Sequence, residues 1–280
     1  MPWTNTKAQP LLEALKECFP DSSNNTLRSW IDDRRIMVGR KPGFSTKQIV
    51  QPGQKIELGK KKHFMEEGIE VIYEDDQLVA LYKPSGILSV ATDYDVTNNV
   101  HSFLKKRFHN RRVYPVHRLD REASGVMVFA YTDAAQYHLK KQFEDHSISR
   151  QYIAVVEGEL ELSQGTWQSY LYEDGAYYVR SVSDPNLGEL ATTHYKVIKR
   201  KSGTSTLLVT LETGKKNQIR VHCKEAGHPI LGDKKYGSAL EQAGRIALHA
   251  YKLGIQHPTL EKPMMFERTA PEAFLKYLPK

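Results

Sequence analysis

Several things that mark whole classes of protein are missing from this 280-residue chain. No stretch approaches the roughly 18 uninterrupted apolar residues of a membrane span, and Met1 to Pro10 lack the basic-then-apolar order of an export signal. There are 2 cysteines, Cys18 and Cys223, with no CxxC and no Cys/His ligand spacing. That speaks against a disulfide framework, a zinc module or any other resident metal. GxxxxGK[ST] and GxGxxG are both absent, so nucleotide-cofactor folds lose support. These absences predict a cytoplasmic protein with no cofactor and no membrane partner; nothing in them calls for more than a monomer.

Charge of one sign is scarce except in one place. The formal net charge is +7, and residues 1–62 hold 12 basic against 6 acidic side chains. The other 218 residues carry 28 against 27. A compact basic segment ahead of a near-neutral body is the footprint of a polyanion-binding module, or else a solvated basic face with no partner. Leu11, Leu12, Leu15 and Cys18 follow helical spacing up to Phe19-Pro20. Residues 21–25 form a capping cluster, and a second helix follows over residues 26–34, with Leu27, Trp30 and Ile31 on one side and Arg28, Arg34 and Arg35 toward solvent. Short β-like pieces come next, then Gly59 to Lys62 as a linker. The chain therefore reads as a small α+β domain over 1–62 and a larger domain over 63–280.

From Gly68 the texture turns β-rich. Strand-like runs cover residues 69–73, 77–82, 126–131, 151–156, 193–198 and 206–211, with helical spacing at 133–145 and near 218–225. Many strands with few, non-alternating helices predict an α+β fold around a mixed, mainly antiparallel sheet.

Two segments could carry chemistry. Val116-His117-Arg118-Leu119-Asp120-Arg121-Glu122-Ala123-Ser124-Gly125 runs into an apolar strand, the kind of rigid mount that presents catalytic groups. An aspartate among arginines is pushed toward its ionised form and can serve as nucleophile or base, or can simply make a structural ion pair. Thr213 to His222, followed by Gly227 to Asp233, places a glycine before a basic helix start that could hold phosphate. His222 and His228 have no acidic ligand at metal spacing and read as structural.

Here the residues carry a resemblance. His117-Arg118-Leu119-Asp120 with Ser124-Gly125 resembles the HRLD-x-x-(T)SG signature of the RluA/RluD-type family of RNA pseudouridine synthases. Other landmarks follow in order: Tyr73 to Asp76 leading to Lys83-Pro84-Ser85-Gly86, the strand Arg150-Gln151-Tyr152-Ile153-Ala154, and Thr213 to His222 for TGRxHQIRxH. Gly227 to Gly237 and Arg245 to Pro258 complete a set spanning roughly residues 69–258. Ala123, Lys215 and Asn217 depart from the usual Thr, Arg and His. The first segment, with Val50 to Leu58, is similar to a small RNA-binding domain shared with a ribosomal small-subunit protein. Its usual V-x-V-N-G turn is replaced by Met37-Val38-Gly39-Arg40-Lys41.

The resemblance implies isomerisation of uridine to pseudouridine in RNA without metal, redox or phosphate chemistry. Asp120 would be the carboxylate near the sugar, paired with Arg220, and Tyr152 would stack on the base and could take the carbon-five proton. Arg118 would fill the space a flipped base leaves. Lys83, Lys215 and Lys216 would contact phosphates, and His117 and Gln218 would complete substrate binding. Arg28, Arg34, Arg35, Arg40 and Lys41 would hold RNA on the first domain. Large-subunit ribosomal RNA is the expected partner, with transfer RNA as the alternative. A non-catalytic RNA-assembly factor on the same fold is a second class of reading; a hydrolase is disfavoured because no nucleophile elbow is present. If residues 1–62 bind phosphates, deleting them flattens the salt dependence of RNA affinity by roughly 0.7 slope units per lost contact on single strands. An unchanged slope in a filter-binding titration contradicts that assignment.

Overall fold

The computed structural model describes residues 3–32, 35–39, 41–43, 45–58, 68–108, 111–240 and 244–279. The chain divides into two compact units, Met1–Phe64 and Met65–Lys280. Arg34 and Arg40 lie outside the described residues, as do residues 59–62 and the side chain of Lys41.

The first unit packs two helices, α1 (Leu11–Cys18) and α2 (Asn24–Asp32), with short strands. These are β1 (Trp3–Thr4), β2 (Gln9–Pro10), β3 (Ile36–Val38), β4 (Lys41–Pro42), β5 (Ile49–Val50) and β6 (Lys55–Leu58). They form a sheet in the order β1-β6-β3-β4 and a β2-β5 pair. Helix α2 starts two residues earlier than the apolar spacing implies, because Ser23 Oγ accepts the Thr26 N–H at 3.1 Å and caps it there. Leu11, Leu15, Leu27, Ile31, Ile36 and Ile56 build the core. Arg28 is exposed, while the Arg35 guanidinium lies 5.5 Å from the centre of the Trp30 ring.

The second unit is built on one sheet of 11 strands. They are β7 (Glu70–Glu74), β8 (Leu78–Lys83), β9 (Tyr114–Pro115), β10 (Ser124–Ala130), β11 (Ser149–Glu157) and β12 (Gln164–Glu173). The rest are β13 (Val179–Val182), β14 (Glu189–Lys201), β15 (Thr204–Leu211), β16 (Leu248–Gln256) and β17 (Pro263–Glu267). The order is β13-β12-β14-β15-β11-β16-β10-β8-β7, with β9 beside β10 and β17 beside β16. Three helices, α3 (Val100–Arg107), α4 (Asp133–Glu144) and α5 (Gln218–Glu225), complete the α+β architecture. Thr132 caps α4 by accepting the Ala135 N–H at 3.1 Å. No helix among the described residues is long and apolar enough to cross a membrane.

All pairings among the described strands are antiparallel except β10 with β16, where Ser124 faces His249 and Gly125 faces Ala250. All seven residues of β10 are buried, as suits a strand covered on both faces. The parallel seam depends on Gly125, whose φ is +132° and whose absent Cβ would fall 2.2 Å from the Ala250 carbonyl oxygen. Beside it, Ser124 Oγ meets His249 Nδ1 at 2.8 Å, and His249 Nε2 donates to the Arg268 carbonyl at 2.8 Å. Gly125→Ala is expected to destabilise the fold by about 3 kcal/mol, the upper end for a single substitution. Urea unfolding checks this, and a wild-type midpoint contradicts it.

Burial also keeps histidines neutral. The His117 Nε2 accepts the Val128 N–H at 3.0 Å, and burial lowers that ring from 6.5 to about 3, while His249 falls to about 4. The unfolded chain then binds more protons than the folded one between those values and 6.5, so stability rises with pH across that window. Folding is therefore expected to weaken progressively as the pH drops from about 6.5 to about 3. His117→Gln, which keeps an acceptor for Val128, should flatten part of that slope in thermal unfolding at stepped pH. An unaltered slope contradicts the assignment.

Candidate active site

The segment between β9 and β10 is held by the turn that follows β8. Ser89 Oγ accepts the Leu119 N–H at 2.9 Å and donates to the Leu119 carbonyl at 2.8 Å, so the loop is gripped one residue before Asp120. Ser85 Oγ donates to the Glu122 carbonyl, and the Gly86 N–H donates to the Arg121 carbonyl at 2.8 Å. Lys83 reaches into the same junction. It is 0% exposed, and its Nζ donates to the carbonyls of Pro84, Ile87 and Arg121 at 2.9, 2.7 and 3.1 Å. Burial pushes its ammonium down to about 7, and Arg245 adds to that effect. All three ammonium protons are spent on carbonyls, so Lys83 is a buried strut of the loop rather than a phosphate contact.

Gln218 also departs from its expected place. Its Oε1 accepts from Thr213 Oγ1 and the Lys215 N–H at 2.8 and 2.9 Å, and its Nε2 donates to the Thr192 carbonyl and Thr193 Oγ1, both at 2.9 Å. Every polar capacity of the amide is used inside the protein, and it fixes the start of α5 instead of facing substrate. The residue before it, Asn217, takes a left-handed conformation with φ +55°. His117 borders the cleft, but its ring stacks on Phe143 at 4.6 Å and its Nε2 is committed to Val128. Lys215 and Lys216 are half-buried and paired with Glu189 and Glu173. Such surface pairs are weak and open readily to a stronger anion.

A cleft of about 650 Å³ opens between this loop, α4, β11 and α5. Asp120, Tyr152, Arg220 and Arg118 all line it. Asp120 and Tyr152 are largely buried, Arg220 is buried and Arg118 is exposed. The Arg220 contacts differ from the simple Asp120–Arg220 pair implied by the sequence. Its Nε and Nη2 donate to the two carboxylate oxygens of buried Asp233 at 2.7 and 2.8 Å, a bidentate clasp. Only Nη1 faces the cleft, where it lies 3.5 Å from Asp120 Oδ2, 3.3 Å from Glu122 Oε2 and 3.3 Å from Asn217 Oδ1. Asn217 in turn donates to the Tyr236 hydroxyl at 3.0 Å, beneath the Arg220 guanidinium. Asp233, Glu122 and Asn217 are thus parts of the site that residue type did not single out. A charged partner for a buried Arg220 was the signal that could have pointed to Asp233.

The electrostatics also depart from the simple charge reading. Burial raises the Asp120 carboxyl above the ordinary carboxylate range, and Glu122 adds to the rise, while Arg220 and Arg118 oppose it. The surrounding arginines offset the desolvation of Asp120 without reversing it. Burial would lower the Arg220 guanidinium, but Asp233, Asp120 and Glu122 outweigh that and keep it charged. The Tyr152 phenol is pushed up to about 12, chiefly by burial, with Arg150 working against the shift and Asp120 with it. Among the described residues no cluster of His, Cys, Asp or Glu is placed to hold a metal ion. The arrangement offers an arginine-braced carboxylate, an aromatic wall and an exposed arginine at one rim.

Comparison with known proteins identifies the family. Residues 77–225 match the family described as RNA pseudouridylate synthase. The chain is 30% identical to the ribosomal large subunit pseudouridine synthase D of Nitrosomonas europaea, over 93% of this chain and 80% of that protein. It is also 30% identical to the uncharacterized RNA pseudouridine synthase YhcT of Bacillus subtilis, over 94% of this chain and 90% of the relative. Human RNA pseudouridylate synthase domain containing 1 shares the fold, with a TM-score of 0.62 at 23% identity over 76% of this chain and 87% of that one. With its central residues matched and more than nine-tenths of its length aligned to such relatives, the chain belongs to the RNA pseudouridylate synthase family and is an isomerase that acts on RNA.

Proposed function

We propose that this synthase isomerises a uridine of large-subunit ribosomal RNA, with Asp120 as the reacting carboxylate. The observation that carries this reading is Asp120 itself, on the wall of the cleft that Tyr152 also lines, with Arg220 Nη1 at 3.5 Å. The name of the Nitrosomonas relative, aligned over most of both chains, supports the ribosomal target.

In the reaction the N1–C1′ bond breaks and the uracil takes the electron pair. The ring then turns in the cleft, and a C5–C1′ bond forms. The C5 proton leaves and N1 gains one, so no water, redox partner or leaving group is consumed. Asp120 attacks C1′ or removes a sugar proton; both routes require the ionised carboxylate that Arg220 favours. Tyr152 supplies a ring face for the base. Held at about 12, its phenol gives no appreciable phenolate at neutral pH, which favours stacking as its contribution. A uridine within structured RNA reaches the cleft only after leaving its stack, at a cost of a few kcal/mol. Arg118, exposed at the rim, has a planar guanidinium that can occupy the vacated position. On the first unit, Arg28, which is exposed, and Arg35, which lies against Trp30, add phosphate contacts in this reading.

The test is tritium release from RNA labelled at carbon five of uridine, comparing wild type with Asp120→Asn. Release is expected from the wild type and should fall by about a hundredfold to ten-thousandfold in the variant. Equal release from both, or free uracil in either reaction, contradicts the proposal.

A further inference from the structure

Arg150 carries a positive charge that no nearby carboxylate balances. It stands two residues before Tyr152 on β11, so both side chains leave the same face of the sheet and line the same cleft. The residue is 7% exposed. Nη2 donates to the Glu212 carbonyl at 2.9 Å, and the guanidinium lies 5.7 Å from the centre of the Phe143 ring. Nε is buried with no partner, and among the described residues the side chain makes no ion pair. Arg220, in the same cleft, is surrounded by Asp233, Asp120 and Glu122.

A buried guanidinium without a counter-ion is unfavourable, yet the fold keeps room for this one. A Cβ at Gly214 would lie 2.2 Å from Arg150 Nη1, and Gly214 has no left-handed φ to account for the glycine. In this cleft the carboxylates of Asp120 and Glu122 gather at Arg220. Elsewhere the same cleft presents an uncompensated cation whose Nη1 makes no hydrogen bond among the described residues. Burial lowers the basicity of Arg150, as an unpaired cation requires.

We propose that Arg150 binds a backbone phosphate of the everted nucleotide, whose base rests on Tyr152 and whose sugar meets Asp120. This rests on the isomerase reading of the same cleft. A guanidinium suits the role because its planar donors match two phosphate oxygens at once. Arg150 thus selects a nucleotide embedded in a chain over a free nucleoside, and it draws the sugar toward the reacting carboxylate.

The test measures equilibrium binding of uridine, uridine 3′-monophosphate and uridine 5′-monophosphate to the full-length protein by calorimetry. Wild type, Arg150→Met and Gly214→Ala are compared, with thermal unfolding as the check on folding. At least one monophosphate is expected to bind the wild type about tenfold more tightly than uridine. In Arg150→Met that ratio should fall to near one while uridine binding persists. Gly214→Ala, which displaces the guanidinium head without removing its charge, should lower the same ratio. A wild-type ratio near one, a ratio unchanged in Arg150→Met, or joint loss of uridine binding in the folded variant overturns the assignment. Tritium release by the wild type, measured in parallel, separates the two readings. Release without a phosphate preference overturns only the role of Arg150, whereas absence of release overturns the isomerase reading beneath it.

Discussion

The bidentate clasp between Arg220 and Asp233 is the interaction on which the rest of the site depends. Both groups are buried, and each would be severely disfavoured alone. Joined through Nε and Nη2, they fix the guanidinium plane and leave Nη1 as the one nitrogen turned to the cleft. Asp120, Glu122 and Asn217 arrange themselves around that nitrogen. An arginine paired only with Asp120 would be free to follow it; an arginine clasped from behind presents its charge at a fixed point. That fixed charge opposes the burial that pushes the Asp120 carboxyl toward protonation, without reversing it.

Two devices bring Asp120 to that point. The close approach of Gly125 to Ala250 lets β10 run parallel beside β16, which on its other side pairs with β11 and so places Tyr152. The turn after β8 then carries the loop, with Lys83, Ser85 and Ser89 each spending donors on backbone atoms of residues 119–122. The loop is irregular in backbone but tied at almost every residue, so it behaves as a rigid mount. The role proposed for Asp120 needs such a mount, because catalytic geometry is lost over small displacements.

Much of this was legible in the sequence because it depends on local pattern. The buried apolar run of β10, the helical spacing of α4 and the ordered landmarks from Tyr73 to Pro258 are all local. Asp120, Tyr152 and Arg220, by contrast, are singled out by the resemblance to the synthase family and not by local spacing; the fold lines one cleft with all three. What was not legible depends on partners distant in the chain. Lys83 looks like a surface cation by type, yet three carbonyls surround it, one of them 38 residues away. Gln218 is spent on Thr192 and Thr193, 26 and 25 residues away. The half-exposed β12 alternates weakly and carries no apolar run, so its periodicity is faint. The lone charge of Arg150 is visible only once the fold shows which carboxylates fail to reach it.

The central claim is that Arg220, clasped by Asp233, favours the ionised form of Asp120 against the effect of burial. It is tested most directly by the pH dependence of kcat/KM for RNA isomerisation. The comparison is wild type against the double variant Arg220→Gln with Asp233→Asn, which removes both members of the clasp and strands no buried charge. The account predicts an acid limb that moves upward by about 1–3 pH units, as loss of a facing cation requires. It also predicts partial recovery of rate at higher pH. An acid limb superimposable on that of the wild type would contradict it.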